Sequence, residues 1–117
     1  MNYNRPFLLS KICTTSTAGT ELVFTFPQSF LVRKIWVVTK TAGSQAASAI
    51  KLQNAAGTTD YSAVTVGTTV ANTLITSGGE VADASKVFAA GTVLRLQSIT
   101  NDATAVYTVF VSGASNE

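Results

Sequence analysis

Residues 20–26 read TELVFTF. Leu22, Phe24 and Phe26 fall on one side of this run, and Glu21, Val23 and Thr25 on the other. Successive side chains of a strand point to opposite faces, so a period of two marks a half-buried β-strand. Pro27 cannot donate to a ladder and ends the run, leaving Gln28 and Ser29 at the corner.

Working outward, the same grammar recurs. Residues 30–40, FLVRKIWVVTK, form a long strand whose apolar pattern is interrupted by Arg33 and Lys34. Two adjacent charges place one of them on the apolar side, so this stretch holds either a bulge or a segment open to solvent on both faces. Residues 49–54 put Ile50 and Leu52 opposite Lys51 and Gln53, and residues 61–66 put Ser62, Val64 and Val66 opposite Tyr61, Ala63 and Thr65. Residues 70–76 read as a further strand. In residues 92–99, Val93 and Arg95 face away from Leu94, Leu96 and Ser98. In residues 105–111, Val106, Thr108 and Phe110 lie opposite Tyr107, Val109 and Val111. Residues 7–13 supply one more strand. Helix formers cluster only at residues 79–86, where a short helical turn and a loop read equally well. Glycines and Asn-Asp pairs punctuate the chain between strands. About eight short strands with regular turn signals predict an all-β, antiparallel sandwich or barrel. The expected organisation is an N-terminal arm over residues 1–6, a single domain over 7–113 and a polar tail over 114–117.

Composition narrows the function. Of the 117 residues only 12% are charged, against roughly 25% in an average domain. Thr, Ser, Ala, Asn and Gln take the place of charge, which suits a surface packed against neighbours. A hydrophobic fraction of 46% argues against disorder. No run approaches the ~18 apolar residues of a membrane span, and the apolar stretch near the N-terminus is too short and interrupted for a signal peptide. With no His in the chain, a Ser–His–Asp triad, a Cys–His pair and imidazole metal ligands are all excluded. Glu80 and Asp83 are close in sequence but read as a solvated loop. Asn54 with Asp60, and Asn101 with Asp102, read as turn formers before they read as calcium ligands. The single Cys, Cys13, reads as a small buried apolar residue. No enzyme activity, cofactor or metal is expected.

The net charge is +2. Arg5, Lys11, Arg33 and Lys34 concentrate in the first third, yet no aromatic stacking platform accompanies them, and Phe24, Phe26 and Phe30 fit core positions. No nucleic-acid partner is expected. Trp36 lies among Ile35, Val37 and Val38, which favours a core position between two sheets; at an interface it would be an anchor. Tyr3, Arg5 and Phe7 form an apolar and basic constellation suited either to folding onto its own sandwich or to gripping a neighbour. The contact candidates are therefore Tyr3, Arg5, Phe7, Arg33, Lys34 and Trp36.

Residues 87–96, VFAAGTVLRL, followed by a Thr/Asn/Ala turn and residues 105–111, AVYTVFV, resemble the closing strands of small viral β-sandwich proteins. Residues 34–53 resemble their early strands with a long Ala/Ser/Thr-rich connection. Together these segments are similar to bacteriophage virion proteins of the jelly-roll type, above all capsid decoration, or cement, proteins. The resemblance implies a jelly-roll fold and a trimer or other homo-oligomer seated on the major capsid protein at the virion exterior, without catalysis. A tail-fibre or receptor-binding module that recognises glycan, and a neck or tail component, are the alternative expectations.

Overall fold

The computed structural model describes residues 3–13, 18–81 and 87–116. These form nine antiparallel strands: β1 (Arg5–Cys13), β2 (Gly19–Phe24), β3 (Phe30–Thr41), β4 (Ala49–Asn54), β5 (Asp60–Thr65), β6 (Leu74–Ile75), β7 (Val87–Phe88), β8 (Leu94–Ile99) and β9 (Val106–Ser115). A front sheet has the order β1-β9-β3-β6, with β7 also on β3, and a back sheet has the order β2-β8-β4-β5. The chain passes repeatedly from one sheet to the other, and the two orders are those of two interlocked Greek keys, the jelly-roll sandwich.

The period-two runs place the core. Phe30, Val32, Ile35 and Val37 of β3 and Tyr107, Val109 and Val111 of β9 point inward from the front sheet. Ile50 and Leu52, Val64, and Leu94 and Leu96 meet them from the back sheet. Leu22, Phe24 and Phe26 face the core as the sequence predicts, with Val23 and Thr25 exposed. One end is filled by aromatic rings in chain contact: Phe7 to Phe26 at 4.5 Å, Phe26 to Phe30 at 5.0 Å, Phe30 to Phe88 at 5.3 Å and Phe88 to Tyr61 at 5.1 Å between centroids. Removing one buried ring of this kind costs about 3–5 kcal/mol.

The pair Arg33–Lys34 resolves as a bulge. The β3–β9 register slips between Val32 and Lys34, so both cations reach solvent while Val32 and Ile35 stay buried. The expected strand at residues 70–76 shrinks to Leu74–Ile75. Asn72 takes a left-handed backbone (φ 60°), and the Thr39 hydroxyl donates to the Val70 carbonyl at 2.6 Å and accepts from the Thr73 amide at 3.0 Å. A side chain thus substitutes for ladder bonds. Along the same edge of β3 the pairs Val38–Leu74, Val37–Ile75, Lys34–Glu80, Leu31–Val87 and Phe30–Phe88 follow in one antiparallel direction. The Ile35 amide donates to the Gly79 carbonyl at 2.8 Å, and the Val81 amide to that of Arg33 at 3.1 Å. β6, Glu80 and β7 therefore occupy one interrupted strand position, which reconciles nine short strands with the eight expected. Residues 79–81 are part of this edge rather than a helical turn; residues 82–86, Asp83 among them, lie outside the described residues.

Both expected ends of the domain differ. β1 begins at Arg5, paired with Ser115, so residues 5 and 6 are ladder rather than arm. β9 runs through Gly113 to Ser115, with Ala114 and Ser115 buried, so the chain there is central strand rather than polar tail. A Cβ on Gly113 would run into the Leu31 carbonyl and the Phe7 ring. That close approach is why the run looks weak in sequence: its small residues make room for neighbours instead of filling space.

Candidate functional site: the outer face of the front sheet

The β1, β3, β6 and β9 registers fix which side chains share the outer face. One cross-strand row is Ile12, Thr108, Val38 and Leu74; the next is Ser10, Phe110 and Trp36; then come Leu8, Ser112 and Lys34. Leu8, Ile12 and Leu74 are 60–65% exposed, and Val38 is also exposed. Trp36 and Phe110, on adjacent strands, stack at 5.3 Å with their planes 9° apart, and the Lys34 ammonium lies 5.2 Å from the Trp36 centroid. The result is a flat apolar surface with hydroxyls set among its apolar side chains, spread over four strands.

Charge is divided between the sheets. The front-sheet strands carry Arg5, Lys11, Arg33, Lys34 and Lys40, five of the chain's eight Lys and Arg, and no Asp or Glu, although the exposed Glu80 stands opposite Lys34 at the edge bridge. The back-sheet strands carry Lys51 and Arg95 against Glu21 and Asp60. Three of those four are linked across strands through Gln53, and Glu21 accepts from the Ser98 hydroxyl at 3.0 Å. Arg95 Nη2 donates to Gln53 Oε1 at 3.1 Å, Gln53 Nε2 to Asp60 Oδ1 at 2.7 Å, and Lys51 Nζ to Asp60 Oδ2 at 2.9 Å. The hydrogen bonds from Lys51 and Gln53, in that order, hold the Asp60 carboxyl below its usual range. Thr20 Oγ1 donates to Gln97 Oε1 at 2.9 Å on the same surface.

The other candidate groups are built into the fold. Buried Asp102 accepts hydrogen bonds from the Ser44, Gln45, Thr104 and Ala105 amides and from the Ser44 and Thr104 hydroxyls, at 2.9–3.3 Å. Led by the Thr104 amide, these donors hold its carboxyl well below the usual range despite burial. This carboxylate pins the β3–β4 loop to the β8–β9 loop. Asn54 Oδ1 likewise accepts the Thr58 and Thr59 amides at 2.9 and 3.1 Å, closing the β4–β5 turn. Asn54 and Asp102 thus serve as turn and loop chemistry, whereas Asp60 bonds across strands and Asn101 Oδ1 accepts the Ala18 amide at 2.6 Å. Cys13 is fully buried, and burial, reinforced by the Glu21 charge, pushes its thiol up to about 12. A thiol so placed stays protonated and is a poor nucleophile near neutral pH.

Of the contact candidates, Lys34 and Trp36 come together on the outer face, with Arg33 beside them in the bulge. Trp36 is not between the sheets: it projects away from the core, because the bulge at Arg33 leaves Ile35 and Val37 as the inward positions. Phe7 is turned inward onto Phe26 and Phe24. Tyr3 lies back on its own chain, its hydroxyl 3.4 Å from Ser29 Oγ. Arg5 is exposed at the far end of β1. Leu8, Ile12, Phe110 and Leu74 complete the face without having been singled out in the sequence. The alternation of residues 105–111 puts Phe110 on the face opposite Tyr107, but only the strand order shows that this face lies beside Trp36.

Among the described residues no group of three or more Cys, Asp and Glu could hold a metal ion, and no helix is long and apolar enough to cross a membrane. Comparison with family models, curated proteins and solved structures found no match for this chain.

Proposed function

We propose that the chain is a structural virion protein that seats on the capsid exterior as a homo-oligomer, a trimer, and reinforces the shell through contact with the major capsid protein. The observation that carries this reading is the outer face of the front sheet, an apolar, cationic surface with no counterpart on the opposite side of the molecule. The jelly-roll order and the sparse charge support it further, since both suit repeated packing in an assembly. The mechanism is added interface. A standard protein contact buries about 1,600 Å², and repetition over a lattice raises the barrier to rupture of the shell.

The glycan-binding alternative needs exposed aromatics around a groove. Tyr107 is fully buried, Tyr61 packs edge-on against Phe88, and Trp36 has Phe110 stacked on one ring face and Lys34 over the ring. That arrangement gives no support to a sugar platform. The test is composition and imaging of purified particles. The chain is expected at lattice-repeated positions over the shell, and particles lacking it are expected to release their genome at lower temperature. Its absence from particles, or its confinement to a ring of a few copies at the neck or tail, overturns the reading.

A further inference from the structure

An exposed sheet face can be covered by a second copy, a membrane, a nucleic acid or another protein, and the residues on this one discriminate among them. A second copy laid face to face would bring Arg33, Lys34 and Lys40 of each chain together, against a single described carboxylate per chain at that edge, the exposed Glu80 opposite Lys34. Like charges juxtaposed in an interface cost several kcal/mol and act against that pairing. A lipid surface favours an unbroken apolar patch with charge at its margin. Here Thr108 and Ser112, on the central strand β9, flank Phe110 and place hydroxyls in the middle of the face. Nucleic acid stacks bases on open rings, whereas Trp36 and Phe110 are stacked on each other. The free edge of β1 does not invite strand addition, because Lys11, at an inward-facing register position, projects to solvent there. A charge at such a position is a device that blocks edge pairing.

We propose that the outer face of the front sheet docks a protein surface with an apolar centre and an acidic rim, the stacked Trp36–Phe110 pair being the anchor and Lys34, with the exposed Lys40 in the Thr39/Thr41 bulge two residues beyond Val38, the charge that selects the partner. Aromatic residues set centrally and surrounded by polar groups are where interface energy concentrates. Cations around them steer association and make it dependent on salt. This inference rests on the capsid reading and specifies its contact: the acidic surface belongs to the shell.

The test uses the full chain and shells assembled from the major capsid protein of the encoding virus. Binding is compared for the wild type, Trp36→Ser, the Lys34→Glu/Lys40→Glu pair, and Val23→Ser, which alters a residue 58% exposed on the back sheet. Circular dichroism verifies that each variant is folded. Trp36→Ser and the double charge reversal are each expected to weaken binding about tenfold or more, with Val23→Ser unchanged. Raising salt is expected to weaken the wild type and to leave the charge-reversed chain less affected. If wild-type chain fails to bind shells, the capsid reading and the docking face fall together. If it binds and the front-face variants match it, or Val23→Ser weakens binding equally, the capsid reading stands and the face is overturned. Tighter binding to vesicles containing phosphatidylglycerol than to shells, or self-association of the wild type that Trp36→Ser abolishes, also overturns the proposed partner.

Discussion

The two outer faces of the sandwich are built from strands with the same alternation, 9, 12 and 10 residues long in β1, β3 and β9 and 6 residues long in each back-sheet strand, and they meet water differently. On the back sheet each charged side chain finds a neighbour one strand away: Arg95 to Gln53, Gln53 to Asp60, Lys51 to Asp60. On the front sheet the corresponding positions hold Leu8, Ile12, Trp36, Val38, Phe110 and Leu74, and the charges on its strands are all cations, with Glu80 the one described carboxylate at its edge, opposite Lys34. The back face satisfies itself within one chain; the front face leaves apolar area uncovered and a surplus of positive charge, five strand cations against Glu80 at its edge. A sheet needs only one apolar side to fold, so a second apolar side is selected by something other than folding.

The largest expected effect concerns how tightly each sheet is assembled. Gly113 sits where β1, β9 and β3 approach, whereas Gly19 of β2 has open space around it. Gly113→Ala should lower Tm by about 10 °C, with Gly19→Ala within a degree or two. Equal shifts in thermal unfolding would remove this distinction between the sheets.

The second expectation separates the faces by acid. Asp102 and Asp60 both have folded-state carboxyls held below the ordinary range, and neither lies on the front sheet. The unfolded chain therefore takes up protons first as pH falls. The stability these groups contribute is fully present above the unfolded carboxylate value of about 4 and is lost as pH drops below it. Urea midpoints measured from pH 7 downward should fall below about pH 4. Asp102→Asn should lower the plateau and flatten this acid limb, and Asp60→Asn should do so less, since its carboxylate is exposed. An acid limb unchanged in Asp102→Asn would show that the loop clasp contributes no pH dependence.

The smallest effect is expected at the front face itself. Trp36→Ser removes one stacked ring and one cation–π contact at a surface site, together about 1–2 kcal/mol, so Tm should move by only a few degrees. As the only tryptophan of the chain, Trp36 should also be readily quenched by acrylamide in the free protein. Resistance to quenching would return it to the core.

The fold was largely legible because burial imposes a period of two wherever one side of a strand faces the core. Residues 20–26, 49–54 and 92–99 show it directly, and the broken pattern at Arg33–Lys34 marks an irregularity, which is the bulge rather than a segment open on both faces. Two stretches were not legible for opposite reasons. Residues 112–115 are too small to display a pattern, their function being to let Phe7 and Leu31 approach. Residues 70–81 follow β3 through a threonine hydroxyl, a left-handed Asn and an isolated bridge, none of which leaves a periodic trace. The site was half legible. Lys34 and Trp36 stood out by type, but Trp36 was favoured for the core because an apolar run has no internal mark of which residues face inward. That assignment depends on the bulge one turn of the pleat away and on Phe110, more than seventy residues later in the chain.

The place of β9 has a further consequence, for biosynthesis. Of the strands described, the one made after all the others, β9, lies in the middle of the front sheet, between β1 and β3. Until residues 106–115 have emerged, β1 has no partner and β3 lacks one of its two. A nascent or truncated chain therefore exposes two long adhesive edges together with the apolar residues of both faces. Closure of the front sheet waits on the contact of β1 with β9, about a hundred residues apart, and such long-range pairing makes folding slow. The docking surface comes into being only with the final step, so an incomplete chain has no finished face to offer a partner.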